Sequence, residues 1–172
     1  MNLEYEDEEF KFVRGYINYS ISNQSRVRNN CTGRFLKPSL DGGGYYKFNL
    51  FKEGEGKIHT LHRLIAILFV DNPENKMFVD HIDNNRRNND VLNLRWVSRK
   101  ENGQNRLMNK NNTSKIKGVT WHKRSKKWHA RITIDGVRLH LGYFDSIEDA
   151  KKARVTRAKA AFGIYVNDCE LW

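Results

Sequence analysis

The chain has 172 residues, of which 31 are Lys or Arg and 20 are Asp or Glu, so its formal net charge is +11. Hydrophobic residues make up 38% of the sequence, which allows one medium domain or two to three small ones, each with a small core. A positive charge of this size favours a polyanionic partner, and nucleic acid is the commonest. A basic protein without a specific anion is the alternative that charge alone leaves open.

The basic residues are concentrated towards the C-terminus, where residues 114–166 contain 13 Lys or Arg against 4 Asp or Glu. The two cysteines, Cys31 and Cys169, are far apart, which argues against a disulfide framework or a structural zinc. The sequence shows neither a secretory signal nor an apolar run of membrane-spanning length. We therefore expect an intracellular protein without a membrane partner, and no obligate protein partner is evident.

The first third of the chain is predicted to form short strands. Residues 19–29 alternate polar and apolar side chains around a turn at Asn23-Gln24. Residues 35–38 and 45–50 continue this pattern on either side of a glycine-rich turn. Thr60 is then predicted to cap a helix whose apolar side chains recur at helical spacing, at Leu61, Leu64, Ile65, Leu68 and Phe69.

A strand, a long loop, a second strand and a helix are predicted next. The strands are residues 78–82 and 94–97, and the loop between them is dense in Asn and Arg. Ser98 and Glu101 have the spacing of a capping box, which predicts a helix from about Arg99.

Four polar residues in this stretch have the chemistry of a phosphodiesterase site. Asp80 is a hard oxygen ligand for a divalent cation, and the imidazole of His81 accepts a proton near neutral pH. Asn93 lies at the end of the polar loop, and Asn102 lies in the first turn of the predicted helix. Cleavage of a phosphodiester needs a base for water and neutralisation of charge on the phosphoryl oxygens.

The block from His62 to Asn102 (HRLIAILF…VDHIDNNRRNN…NLRWVS…EN) resembles an HNH nuclease, the ββα-metal type carried by group I intron homing endonucleases. The resemblance implies that Asp80 and Asn102 bind the metal and that His81 is the general base. It also implies that Asn93 holds the other ring nitrogen of His81 through its side-chain oxygen. The oxygen-rich ligand pair favours Mg²⁺, with Mn²⁺ as the alternative. His62 is predicted to pack at the helix start.

The C-terminal region is predicted to form three strands and a helix. The strands are residues 118–121, 128–134 and 137–141, with a tight hairpin at Asp135-Gly136. Ser146 is the predicted cap of the helix, which runs to Phe162, and Gly163 ends it. The motifs GVTWH, KWHARI and LGYFDSIEDA resemble the APETALA2-type DNA-binding domain, which implies a sheet that enters the major groove and a helix that stays off the DNA.

The N-terminal string YSISNQSRVRN resembles the nuclease-associated module of phage and intron-encoded homing endonucleases, which implies either a platform or a DNA contact. In the N-terminal module and the nuclease block we expect DNA contacts from Arg26, Arg28, Arg86, Arg87, Arg95 and Arg99. The APETALA2-type resemblance adds eight DNA-facing positions, namely Lys117, Thr120, His122, Lys127, Arg131, Thr133, Arg138 and His140. Thr120, His122, Thr133 and His140 depart from the plant pattern, so the plant target sequence is not expected.

We therefore predict an α+β protein with a small β-rich N-terminal module, a ββα-metal HNH core and a C-terminal three-stranded antiparallel sheet with one packed helix. The predicted boundaries are residues 1–58, 59–109 and 110–172. The predicted function is site-specific, metal-dependent cleavage of double-stranded DNA. The alternative is a sequence-specific DNA-binding regulator in which the nuclease fold serves as a scaffold. RNA is a weaker candidate, because a sheet that enters a major groove suits B-form DNA.

Overall fold

The computed structural model describes residues 8–105, 108–109 and 111–167. It shows a mixed α+β protein of small antiparallel sheets and short helices, which confirms the predicted fold class. The chain divides into two compact units, Met1–Val97 and Ser98–Trp172. The predicted module boundaries after residues 58 and 109 stay predictions.

Two three-stranded sheets open the N-terminal unit. The first contains β1 (Phe10–Val13), β2 (Tyr16–Ser22) and β3 (Val27–Asn29), and the second contains β4 (Ser39–Leu40), β5 (Tyr46–Lys52) and β6 (Glu55–Thr60). The predicted turns between β2 and β3 and between β4 and β5 are present. The sequence pattern did not indicate β1 or β6. Strand β6 pairs with β5, and its first four residues are exposed.

Helix α1 (Leu61–Phe69) follows β6 directly, as its apolar spacing predicts. Its apolar stripe joins the core of this unit, whose buried members include Ile21, Leu50, Leu64 and Ile65. Thr60 occupies the predicted N-cap position, but its side chain makes no capping hydrogen bond.

Strands β7 (Phe78–His81) and β8 (Leu94–Val97) form a separate antiparallel pair that completes the N-terminal unit. The polar loop between them ends in a 3₁₀ turn at Val91–Asn93. The strand register places Asp80 opposite Arg95 and His81 opposite Leu94. The hairpin thus fixes the backbone on which the predicted acid and base lie.

Helix α2 (Arg99–Gln104) opens the C-terminal unit with the predicted capping box. The hydroxyl of Ser98 accepts from the backbone N–H of Glu101, and the Glu101 carboxylate accepts from the backbone N–H of Ser98. Near its C-terminus, the buried side chain of Asn167 donates to the backbone oxygen of Asn105 at 2.6 Å. The helix is therefore tied to the end of its own unit.

The rest of this unit is a sheet with one helix packed on it. Strands β9 (Val119–His122), β10 (Lys127–Ile134) and β11 (Val137–Phe144) pair in the order β11-β10-β9, and α3 (Ile147–Phe162) covers one face. The predicted cap at Ser146 and stop at Gly163 are present, the latter with φ of +53°. Across the described ranges, no helix is long and apolar enough to cross a membrane.

Candidate active site and nucleic-acid interface

The β7–β8 hairpin buries an acid next to a histidine. Asp80 and His81 are 9% and 4% exposed, although adjacent strand residues ordinarily face opposite sides. The Asp80 Oδ2 atom accepts from the Nε and Nη2 atoms of Arg95, at 3.1 and 2.9 Å. Arg95 was predicted to contact DNA, but here its guanidinium neutralises the Asp80 carboxylate from the opposite strand. An opposite charge at this distance offsets part of the cost of burying a carboxylate.

The imidazole of His81 is oriented by Asn89. The His81 Nε2 atom lies 3.1 Å from Oδ1 of Asn89, which is itself only 4% exposed. The Nδ2 atom of Asn89 donates to the backbone oxygen of Arg87 at 3.2 Å, which turns Oδ1 of the amide towards the histidine. Because that oxygen only accepts, the proton of the neutral imidazole belongs on Nε2 and the lone pair on Nδ1.

The Asn93 side chain was predicted to hydrogen-bond to His81, but it bonds to other groups of the loop. The Asn93 Oδ1 atom accepts instead from the backbone N–H of Asp83, at 3.1 Å. Its Nδ2 atom donates to Oδ1 of Asp83 at 2.9 Å and to the backbone oxygen of Asn88 at 2.7 Å. Asn93 therefore cross-links the two ends of the loop, and its neighbour Asn89 contacts the ring.

Asp83 is the centre of the loop's hydrogen-bond network. Its carboxylate accepts from the backbone N–H of Asn85 at 2.8 Å and from Nδ2 of Asn88 at 2.7 Å, in addition to Asn93. Partial burial alone would raise the pKa of Asp83, but these hydrogen bonds stabilise the carboxylate and the net effect lowers it. The N-terminal module also supports the loop, because Oγ of Ser25 donates to the backbone oxygen of Asn89 at 3.0 Å.

The two predicted metal ligands, a carboxylate and an amide, are of the kind that a hard divalent cation takes together with ligands from outside the protein. Among the residues that the structure describes, no three His, Cys, Asp or Glu side chains come together to hold a metal. Carboxylate and amide oxygens, together with phosphate and water, are the ligands that Mg²⁺ accepts. The second predicted ligand, Asn102, lies in the first turn of α2, in the C-terminal unit.

The predicted DNA-contacting arginines of the N-terminal unit are held by neighbouring side chains. Arg26 forms an ion pair with Glu8, and its guanidinium lies 4.7 Å from the ring centre of Phe35. Arg28 lies 4.6 Å from the ring centre of Phe10. Such stacking shields one face of a guanidinium. The edge of the Arg26 guanidinium faces the Glu8 carboxylate, which a phosphate would have to displace. Arg87 is exposed in the β7–β8 loop.

In the C-terminal unit the predicted DNA-facing residues largely share one surface. The apolar residues of β10, such as Ala130 and Ile132, face α3, so the alternate residues face away from it. We call this opposite side of the sheet the outer face. The strand pairings place these predicted residues on it: Thr120, His122, Lys127, Arg131, Thr133, Arg138 and His140. Lys117 precedes the sheet and donates to the backbone oxygen of Gln104 at 3.3 Å.

The outer face also holds two residues that were not predicted from the sequence to face DNA, His129 and Tyr143. The Nε2 atom of His129 lies 2.8 Å from Nδ1 of His140, and the Tyr143 ring centre lies 5.0 Å from that of His129. Burial and the nearby charges of His140, Arg131 and His122 lower the pKa of His129. Alternate residues of a strand share a face, so the position of His129, two residues before Arg131, already predicted that it lies on the outer face. Tyr143 was hidden by a bulge in β11.

Comparisons with known proteins place this chain among phage and viral nucleases. The HNH endonuclease family model matches residues 59–104, and the NUMOD4 motif matches residues 8–51. The DNA endonuclease I-HmuI of Bacillus phage SP01 is 41% identical over 100 residues, which cover 58% of this chain and 58% of that protein. The H-N-H endonuclease F-TflII of Escherichia phage T5 is 34% identical over 89 residues, covering 51% of this chain and 46% of that protein.

The matched segments thus span 58% and 46% of these two relatives. They span only 26% of the HNH endonuclease L245 of Acanthamoeba polyphaga mimivirus, which is 38% identical over 85 residues. A solved structure extends the similarity further. It is titled "DNA binding and cleavage by the HNH homing endonuclease I-HmuI" and superposes with a TM-score of 0.54 at 30% sequence identity. The similarity covers 91% of this chain and 92% of that chain.

Proposed function

The chain belongs to the HNH endonuclease family, and from this premise we propose that it is a site-specific, metal-dependent endonuclease that cuts double-stranded DNA. The observation that carries the proposal is the buried pair of Asp80 and His81, with the imidazole oriented by Asn89. A buried histidine with a preset tautomer next to an acid is the arrangement that a general base needs.

In the proposed reaction, His81 acts on a water molecule. Nδ1 of the neutral imidazole accepts a proton as the water oxygen attacks the phosphorus atom of the scissile phosphate. The new P–O bond forms as the bond to the leaving oxygen breaks, and the leaving oxygen departs with the electron pair of that bond and takes a proton from solvent. Asn89 contributes by keeping the Nε2 proton in place, which holds the lone pair on the reacting nitrogen.

Asp80 and Asn102 are the residues that would hold the divalent cation. When bound, the cation neutralises charge on the phosphate oxygens. Mg²⁺ fits the proposed oxygen ligands, and Mn²⁺ is the alternative. Arg95 pairs with Asp80 Oδ2 across the hairpin, so a cation would bind at the other carboxylate oxygen or displace this contact.

DNA affinity is proposed to come mainly from the C-terminal sheet, in the manner of the APETALA2-type domain. The support is the outer face, on which Arg131 and Arg138 lie among histidines and threonines. Arginine can pair with guanine through two hydrogen bonds, and lysine contacts position the protein on phosphates. In the N-terminal unit, Arg26, Arg28, Arg86 and Arg87 are proposed to add backbone contacts, and Arg99 does so from α2.

The second candidate is a DNA-binding regulator that uses the nuclease fold as a scaffold. The Asp80–Arg95 ion pair gives it specific support, because a pair of this kind can serve structure alone. In that case Asp80→Asn would lower stability without changing any reaction. In the endonuclease, the same substitution also removes a ligand and abolishes cleavage.

Incubation of the purified chain with a supercoiled plasmid library and Mg²⁺ tests the proposal. Sequencing of the new ends would identify the target and show whether one or both strands are cut. We expect cleavage at recurrent sites. EDTA should abolish this cleavage, and addition of Mg²⁺ or Mn²⁺ should restore it. If no plasmid in the library is cut with either ion while DNA is still bound at discrete sites, the regulator replaces the endonuclease.

A further inference from the structure

A tight turn in the N-terminal module reaches the general base. The carboxylate of Asp41 accepts from the backbone N–H groups of Gly43 and Tyr45, at 2.8 and 2.9 Å, and so closes the turn between β4 and β5. Arg86 secures it from outside, because its Nη1 atom donates to the backbone oxygen of Gly43 and its guanidinium lies 5.0 Å from the Tyr45 ring centre. The turn therefore presents the Tyr45 ring in one place.

Three rings meet where this turn faces the hairpin. The ring centres of Tyr45 and His62 are 4.7 Å apart, those of His62 and His81 are 5.2 Å apart, and those of Tyr45 and His81 are 5.9 Å apart. Each ring thus touches the other two. Tyr45, from the turn that precedes β5, packs on one side of His81, and the imidazole of His62, from α1, packs on another.

His62 contributes to this cluster as a ring and not as a charge. Its Nδ1 atom is buried without a hydrogen-bond partner. Burial, followed by the nearby charges of His81 and Arg63, lowers the pKa of His62 to about 4, so the ring is neutral at pH 7. A buried nitrogen that bonds to nothing gives the fold no advantage over a phenyl ring of similar shape.

Ring packing and a hydrogen bond restrain different motions of an imidazole. The bond to Asn89 restrains where Nε2 of His81 points. The χ2 torsion of histidine is broad, and packing on the ring faces narrows it. Tyr45 and His62 supply such packing, which keeps Nδ1 aimed at the attacking water.

We infer that Tyr45 and His62 are positioning residues that hold the His81 ring in its reactive orientation, so that the N-terminal module forms one wall of the active site. The inference rests on the proposed function for its effect on rate. Its structural part, a single orientation and tautomer of His81, does not depend on cleavage.

His59 offers a matched control in the same unit. Its Nε2 atom is also buried without a partner, burial also lowers its pKa, and its ring also packs on a tyrosine, Tyr16, at 4.9 Å. His59 packs on Tyr16, whereas His62 packs on the proposed general base, His81. His59→Ala therefore reproduces the loss of a buried imidazole without opening the wall around His81.

The test compares His62→Ala, His62→Phe and His59→Ala by single-turnover cleavage of a mapped site and by ¹⁵N NMR of the His81 imidazole. We expect His62→Ala to lower the cleavage rate about 10-fold to 100-fold with little change in DNA affinity, because the base is misplaced. His62→Phe should restore most of that loss, and His59→Ala should leave the rate of the folded enzyme within about threefold of wild type. The ¹⁵N shifts of His81 should indicate a single Nε2–H tautomer in the wild type, in His62→Phe and in His59→Ala. In His62→Ala these shifts should be averaged between the two tautomers.

Three results would overturn the inference. The wall is not needed if His62→Ala cuts at the wild-type rate, or if His59→Ala loses as much activity as His62→Ala. A ring contact is not the cause if His62→Phe is as slow as His62→Ala. If the wild type itself fails to cut DNA, the proposed function falls, and the His81 tautomer in the three variants still decides the positioning role.

Discussion

Histidines in the two units of this protein are arranged in opposite ways. In the N-terminal unit, His81 is 4% exposed, has a fixed hydrogen-bond partner in Asn89 and is flanked by two rings. In the C-terminal unit, His129 and His140 lie on the outer face and bond to each other. The first arrangement allows one orientation, while the second can exchange its hydrogen bond for one to a ligand.

The difference agrees with the roles proposed for the two sites. Proton transfer depends on one nitrogen at a defined distance from a water, so orientation is established before the substrate arrives. Contact with a polyanion is spread over many groups and tolerates adjustment of each one. Substitutions in the two units should therefore separate the cleavage rate from the DNA affinity.

The largest effect is expected from the general base. His81→Ala should lower Mg²⁺-dependent cleavage by at least about 10²-fold, because the variant lacks the imidazole that is proposed to accept the proton of the attacking water. Binding to the same DNA should stay within about threefold, since the ring is buried in the protein. Single-turnover cleavage and gel-shift titration measure the two quantities. Cleavage at the wild-type rate would remove His81 from the mechanism.

Asn89→Ala should cost cleavage about 10-fold to 100-fold, because His81 loses the bond that sets its tautomer. Asn93→Ala is the informative partner variant, since Asn93 bonds to the loop through Asp83 and Asn88. We expect Asn93→Ala to lower the melting temperature in addition to the rate. A rate loss at Asn93 without any stability change, together with a neutral Asn89→Ala, would support the partner first predicted from the sequence.

Substitutions on the outer face should change affinity and not rate. Arg131→Ala and Arg138→Ala are each expected to weaken DNA binding by about 1–3 kcal/mol, with cleavage at saturating protein retained. If the lost contact is to a phosphate, the dependence of log K on log salt should fall by about one. Binding isotherms at several salt concentrations give both values. Unchanged affinity in both variants would mean that the sheet does not bind DNA through its outer face.

The smallest expected effect is on how the free energy of unfolding depends on pH. His62 has a pKa of about 4 in the folded chain, below its ordinary value of 6.5, so the unfolded chain takes up a proton first as the pH falls. The stabilisation from its neutral burial is present above pH 6.5 and is lost between there and about pH 4. Urea unfolding at pH 7.5 and 5.0 should show a smaller difference for His62→Phe than for wild type. Equal differences would mean that His62 does not titrate in this way.

Local signals were the part of the fold that the sequence predicted well. The Ser98–Glu101 capping box forms with both of its hydrogen bonds, because the residues involved lie within one helical turn. Asp135 and Gly136 both have positive φ, as the tight hairpin turn requires. Thr60 shows the limit of such signals: the helix begins where predicted, but the hydroxyl makes no cap because the residue ends a paired strand.

By itself, the sequence determined the α+β class, most strands and helices, and the acid–histidine pair, because these depend on periodicity and on residues near one another in the chain. Only the tertiary structure decided which asparagine contacts His81 and that Arg95 pairs with Asp80. It also brought Tyr45 and His62 to the base from distant segments. A polar loop of many asparagines has several competing hydrogen-bond patterns, and the choice among them is made by packing between segments that sequence spacing does not encode.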